Sequence, residues 1–183
     1  MPTVNYYFLG IGGIGMSALA RYFLAAGHRV GGYDRVRTPL TEALEREGAD
    51  VHYDDRGGDL PAWVRAAPEC TRVVLTPAVP ADMGELVWLR AHSYSVQKRA
   101  QILGEITRNH FTVAVAGTHG KTTTTTMVAH LLRQAGRNVT AFLGGISVNY
   151  GTNLLLGDAG ADDHVVVVEA DEYDRSFLTL TPN

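Results

Sequence analysis

The sequence predicts an α/β protein with mostly parallel sheets, on three observations. Apolar, strand-like runs alternate with helix-like stretches along the whole chain. The turn Gly10-Ile-Gly-Gly-Ile-Gly15 follows the first apolar run. A second glycine turn, Gly117-Thr-His-Gly-Lys-Thr122, follows another such run and carries a lysine and hydroxyls. Each glycine turn between a strand and a helix has the wiring of an anion-binding βα unit.

Taken in order, residues 4–9 read as a strand and 13–26 as a helix. Residues 29–33 read as a strand and 39–47 as a helix, and 51–53 as a weak strand. A better strand at 72–75 precedes a helix near 82–91, a short strand around 94–96 and a helix at 98–108. A new unit begins near Asn109, with a strand at 111–116, a helix at 121–134 and a strand at 138–143. Residues 144–153 are rich in glycine and asparagine and read as a loop. Val165 to Val168 form an unbroken valine run, the pattern of a strand buried on both faces. The organisation is therefore a Rossmann-like parallel-sheet domain over 1–108. A phosphate-loop α/β unit over 109–183 follows it, and its few strands make it read as incomplete. The chain is expected to be the front part of a longer protein.

Composition narrows the function classes. At 183 residues, with 45% hydrophobic and 19% charged residues, the chain can bury a core. A net charge of −3 with dispersed Lys and Arg gives no basic field for nucleic acid. The single cysteine, Cys70, forms no internal disulfide, which suits a reducing compartment. No charged secretory start or membrane-length apolar run is present, so the expected location is the cytoplasm.

The second glycine turn is the more specific signal. Backbone N–H groups of Gly117, Thr118, His119 and Gly120 can turn toward phosphate oxygens. The helix start adds partial positive charge, Lys121 a full one, and Thr122 an oxygen for Mg²⁺; Thr123 adjoins the same site. The usual loop would need glycine at position 115, where Val115 stands, so this loop is shorter. Threonine runs on from Thr122 to Thr126, but the motif places only Thr122; packing or capping is expected of the rest. After the valine run come Glu169-Ala-Asp-Glu-Tyr-Asp174, acids where a Mg²⁺ ligand is needed, with Glu169 nearest the strand end. The first turn fits G-x-G-x-x-G, with Asp34 ending the next strand to meet a ribose. By spacing it favours a dinucleotide such as NAD, although any diphosphate nucleotide, including a nucleotide sugar, can use the same physics.

The chain resembles the amino-terminal part of a Mur ligase. The resemblance rests on residues 9–20, Thr76-Pro-Ala-Val-Pro80, Lys98-Arg-Ala-Gln101, Ala116-Gly-Thr-His-Gly-Lys-Thr122, Gly144-Gly145 and Glu169 to Asp174, in order along nearly the whole chain. The short lysine loop is that family's own form. The resemblance implies that the first turn holds a UDP-sugar rather than NAD, through Gly12, Gly13, Ile14 and Gly15 along the diphosphate and Asp34 near the nucleoside. Thr76 and Arg99 would line the same crevice. It implies ATP at the second turn, Lys121 as the phosphate-binding catalytic lysine, and Thr122 and Glu169 as Mg²⁺ ligands.

The reaction implied joins L-alanine to the lactyl carboxylate of UDP-N-acetylmuramate. ATP phosphorylates the carboxylate, and the amine displaces phosphate from the acyl phosphate, in peptidoglycan synthesis. The family continues into a third domain, so this chain alone is expected to bind UDP-sugar without ligating. A sister ligase that attaches a recycled peptide to the same sugar is the near alternative. An NAD-linked oxidoreductase leaves the lysine loop without a role, and a UDP-sugar-binding module without catalysis is the remaining reading.

Overall fold

The computed structural model describes residues 4–108 and 110–170. The chain divides into two compact units, Met1–Arg99 and Ala100–Asn183. The sequence places the change near Asn109; by contacts the helix before that point groups with the second unit.

In the first unit, β1 (Asn5–Leu9), β2 (Arg29–Tyr33), β3 (Asp50–His52), β4 (Thr71–Leu75) and β5 (Ser95–Lys98) form one parallel sheet in the order β3-β2-β1-β4-β5. That order is doubly wound: the chain steps outward from β1 on one side, then returns to its other side at β4. Helices α1 (Ile14–Ala25), α2 (Pro39–Arg46), α3 (Ala62–Arg65) and α4 (Gly84–Ala91) make the crossovers.

Alternation along β1 sorts the two faces. Tyr6 faces α1, where its ring stacks on Phe23 with centroids 3.6 Å apart. Tyr7 and Leu9 face the other way, into a core with Trp63 and Val64 of α3 and Leu86 and Leu89 of α4. Both faces are buried, so β1 is apolar at nearly every position rather than alternating with polar residues. Helix α2 starts where the sequence supplies a cap: Thr38 accepts from Thr41 N–H, Thr41 Oγ1 accepts from Thr38 N–H, and Pro39 opens the helix.

Helix α5 (Arg99–Thr107) starts on the last residue of the first unit and leads, in the second, to β6 (Phe111–Val115), α6 (Lys121–Gln134), β7 (Val139–Phe142), β8 (Leu154–Leu155) and β9 (Val165–Glu169). The sheet order is β6-β9-β7-β8; β9 runs parallel to both neighbours and β8 antiparallel to β7. The expectation for the valine run holds. Val165 and Val167 pack in the core beneath α6, and Val166 and Val168, on the other face, are equally buried. Three short elements escaped the sequence reading: α3, β8 and a 3₁₀ turn at Pro68–Cys70. Of α6's threonines, Thr125 is buried and Thr126 bonds back to the Thr122 carbonyl at 2.7 Å. Capping falls instead to Gly120, in the left-handed region at φ 76.

No helix among the described residues is long and apolar enough to cross a membrane.

Candidate functional site

At the switch point of the first sheet the chain leaves β1 and β4 in opposite directions, which opens a crevice at the carboxyl ends of the strands. Every residue singled out for a UDP-sugar lies on the loops that leave these ends or in the first turn of the helix that follows. Gly10 has φ 86, and a Cβ there would stand 2.5 Å from Thr76 Cγ2, so the loops after β1 and β4 touch only because residue 10 is glycine. Gly12 donates its N–H to Asp34 Oδ2 at 2.7 Å, and Val36 N–H reaches Asp34 Oδ1 at 3.2 Å. Asp34 thus clasps the glycine turn to the loop after β2. A Cβ on Gly15 would lie 2.5 Å from Arg99 Nη1, which places the guanidinium just past β5 against the first turn of α1. The helix dipole and a full charge therefore coincide there. Gly13 is the N-cap of α1 and has no side chain to cap with, and Gly13 and Ile14 are exposed.

Two features of this region were not singled out from the sequence. Thr41 is buried beside the turn, and its methyl lies 2.6 Å from where a Gly12 Cβ would be. Beneath Asp34 runs a buried polar chain. The Tyr7 hydroxyl lies 2.7 Å from Glu85 Oε2 and 2.7 Å from His52 Nε2. His52 also uses its backbone carbonyl to accept the Asp34 N–H at 3.1 Å. Beside it, Asp55 accepts from the N–H groups of Gly57, Gly84 and Glu85, capping α4. Burial alone would raise the Asp55 carboxyl, but these donors outweigh it and hold the group below the usual carboxylate range.

In the second unit the loop after β6 turns at Gly117, φ 145, and Gly120, φ 76. Lys121 Nζ donates to the Gly117 carbonyl at 2.8 Å, so the ammonium sits over the loop. The first intrahelical bond runs from Thr124 N–H to the Gly120 carbonyl, and helix geometry aims the Thr122 and Thr123 N–H groups back toward the loop. Thr118 and His119 are exposed on it.

Glu169, at the end of the central strand β9, accepts the Gly144 N–H on Oε1 at 2.8 Å. Gly144 has no room for a side chain because that carboxylate fills the space, and the Thr122 methyl lies 3.4 Å from where a Gly145 Cβ would be. Thr122 and Glu169 therefore meet around one dipeptide, the glycine pair after β7. Strand adjacency accounts for this: β6 carries the loop, β9 the carboxylate and β7 the glycines, side by side. Two hard oxygen donors beside first-turn N–H groups fit a Mg²⁺ that takes its other ligands from phosphate and water. Among the described residues there is no group of three or more His, Cys, Asp or Glu of the kind that cages a metal by itself. Asp171, Glu172 and Asp174 lie outside the described residues.

Known proteins share this layout. The pattern described as Mur ligase family, catalytic domain, matches residues 5–111, and that described as Mur ligase middle domain matches 115–179. A UDP-N-acetylmuramate–L-alanine ligase of Parabacteroides distasonis is 56% identical over 176 residues, 96% of this chain and 37% of the relative. The crystal structure of a UDP-N-acetylmuramate-alanine ligase from Thermotoga maritima superposes with a TM-score of 0.85 at 33% identity, covering 98% of this chain and 40% of that one. A murein peptide ligase from Psychrobacter arcticus reaches a TM-score of 0.81 at 30% identity, over 98% of this chain and 41% of its own. The chain thus spans well under half the length of these relatives.

Proposed function

Because the chain belongs to the Mur ligase family, we propose that it is the front part of an ATP-dependent ligase that joins L-alanine to UDP-N-acetylmuramate. The observation that carries this reading is the convergence of Gly10 to Gly15, Asp34, Thr76 and Arg99 from four adjacent strand ends. In the reading, the diphosphate lies along Gly12, Gly13, Ile14 and Gly15 and draws on the α1 dipole and Arg99, with the nucleoside near Asp34. NAD is the poorer fit, because nothing in a hydride transfer would use the lysine loop of the second unit.

ATP belongs at Gly117 to Thr123. Lys121 and the first-turn N–H groups of α6 hold its phosphates, and Thr122 and Glu169 would hold Mg²⁺, which when bound neutralises phosphate charge. The problem these residues address is electrostatic: a carboxylate and a triphosphate, both anionic, must approach each other. Lys121 lowers that barrier as charge moves onto the transferred group. Glu169 arrives oriented, since the Gly144 N–H fixes one of its oxygens. Alanine rather than a peptide as the amine follows the 50–56% identity to alanine ligases across nearly the whole chain. Competition between alanine and peptide in the full-length ligase separates the two.

Parallel titration of the chain with UDP-N-acetylmuramate, UDP, NADH and ATP–Mg²⁺ tests the reading. Uridine nucleotides are expected to bind the first unit, with no amide product from these 183 residues alone. Binding of NADH alone would overturn it.

A further inference from the structure

The buried chain beneath Asp34 can be followed proton by proton. Tyr7 and Glu85 are 0% exposed and His52 is 5% exposed, so water does not complete their hydrogen bonds. His52 Nδ1 lies 3.0 Å from the Asp54 carbonyl, which only accepts, so Nδ1 carries a proton. Glu85 Oε1 accepts the Arg56 N–H at 3.0 Å. Tyr7 has one proton for two partners, each at 2.7 Å, so its hydroxyl donates to one and accepts from the other.

Two arrangements satisfy every atom. In one, His52 Nε2–H donates to Tyr7, and Tyr7 donates to an ionised Glu85. In the other, a protonated Glu85 donates to Tyr7, and Tyr7 donates to Nε2 of a neutral His52. Both are net neutral and hold the same number of protons. Shifting one proton across each of the two bonds converts one into the other. Losing a proton leaves two lone pairs facing each other, across 2.7 Å at His52 Nε2 or, in the other tautomer, 3.0 Å at Nδ1.

We propose that Tyr7, His52 and Glu85 retain one shared proton at neutral pH, and that this closed chain positions Asp34 and, through it, the glycine turn at Gly12. The link is short. The His52 backbone accepts Asp34 N–H at 3.1 Å, and the Asp34 side chain accepts Gly12 N–H at 2.7 Å. These are positioning residues, and their bearing on UDP-sugar affinity rests on the function proposed above. An ordinary histidine and glutamate would together have lost most of this proton by pH 7.5. Burial pushes the Glu85 carboxyl above the usual carboxylate range, against the pull of the Tyr7 hydroxyl and the Arg56 N–H. Burial, and then the Glu85 charge, push the Tyr7 phenol far up, so it relays a proton without losing its own. The other charged groups that bear on the chain are Asp50, Asp55 and Arg56, and the Tyr33 ring lies 5.8 Å from that of His52.

NMR of the chain tests both halves of the proposal without any ligand. At pH 7.5 the ¹³C shift of the Glu85 carboxyl and the ¹⁵N shifts of the His52 ring are expected to show either an imidazolium or a protonated carboxyl. An ionised Glu85 beside a neutral His52 overturns the shared proton. Amide hydrogen exchange at Gly12 and Asp34 is then compared in wild type, Glu85→Gln and Tyr7→Phe. The glutamine can mimic protonated Glu85, with its amide NH₂ donating to Tyr7 and its oxygen accepting from Arg56, so its protection should stay near wild type and lose its pH dependence. Tyr7→Phe opens the chain and should speed exchange at both amides by about tenfold. Unaltered exchange in Tyr7→Phe, or equal acceleration in Glu85→Gln, overturns the positioning role. Failure of UDP-N-acetylmuramate to bind would remove the function proposed above and leave these readouts standing.

Discussion

The two glycine turns are built in opposite ways. The first, Gly10 to Gly15, is crowded: Thr76, Asp34 with Thr41, and Arg99 each occupy the place of a missing side chain. It carries no cation of its own and takes its charge from Arg99, another strand end away. The second, Gly117 to Lys121, is open. Among the described residues a Cβ on Gly120 would meet nothing within 4 Å, and glycine is required there by a φ of 76. It carries its own lysine, bonded to its own carbonyl. Neighbours shape the first turn, whereas the backbone shapes the second.

Substitutions can break that contrast. The largest expected effect is Lys121→Ala in the full-length ligase, which should cost about 10²–10³ in kcat, the scale of removing one preorganised charge-stabilising donor. The chain's thermal midpoint should hold, and undiminished turnover would end the case for the second turn. Next comes Gly12→Ala. Its Cβ must displace the Asp34 carboxylate and the Thr41 methyl, at about 1–3 kcal/mol. Calorimetry with UDP-N-acetylmuramate should show lost affinity, and normal binding would mean the crowding is slack. Gly120→Ala meets no crowding but must hold a left-handed backbone, at about 1–2 kcal/mol in denaturant melts. A cost near zero would remove the backbone argument.

A pH dependence separates the units further. His164 is buried just before β9, with Nδ1 3.1 Å from His110 Nδ1 and Nε2 2.9 Å from Thr140 Oγ1. Burial, and then the neighbouring His110, hold its pKa below the ordinary value of 6.5. The unfolded chain therefore binds the proton first, so stability falls as pH drops below about 6.5. Glu85, in the first unit, has the opposite sign: its raised carboxyl means stability falls as pH rises above the ordinary value of 4.5. Melts of His164→Gln and Glu85→Gln across pH should each flatten one of these slopes, and parallel curves for wild type and variant would contradict the assignment. The smallest effect expected is a gain. Thr125 Oγ1 is buried with no hydrogen-bond partner among the described residues, so Thr125→Val should stabilise by about 1 kcal/mol. A loss of that size would mean the hydroxyl is satisfied in solution.

Much of this was legible in the chain because it is local. Gly10 to Gly15 and Gly117 to Thr122 are contiguous, and the valine run declares a central strand without any partner in view. What stayed hidden depends on pairing at a distance. Helix α3 is four residues long, too short for a period, and is fixed by Trp63 and Val64 entering a core. Strand β8 is two leucines that become a strand only beside β7. Asp34 was read as a group for ribose; its bond to Gly12 depends on how two loops meet. Tyr7, His52 and Glu85 are scattered along the sequence, and each alone looks like an ordinary polar residue near a strand or helix.

The strand order of the second sheet has a consequence for how the chain matures. Strands β6 and β7 never pair with each other; each bonds in parallel only to β9, which is made after both. During synthesis, β6 and β7 must stay apart until Val165 to Glu169 emerge, so the parallel part of that sheet forms late, although β7 can already hold β8. The first sheet can begin as soon as β2 finds β1, with α1 between them. A ribosome stalled just before Val165 would carry one sheet already formed and, of the other, no more than the short β7–β8 pair.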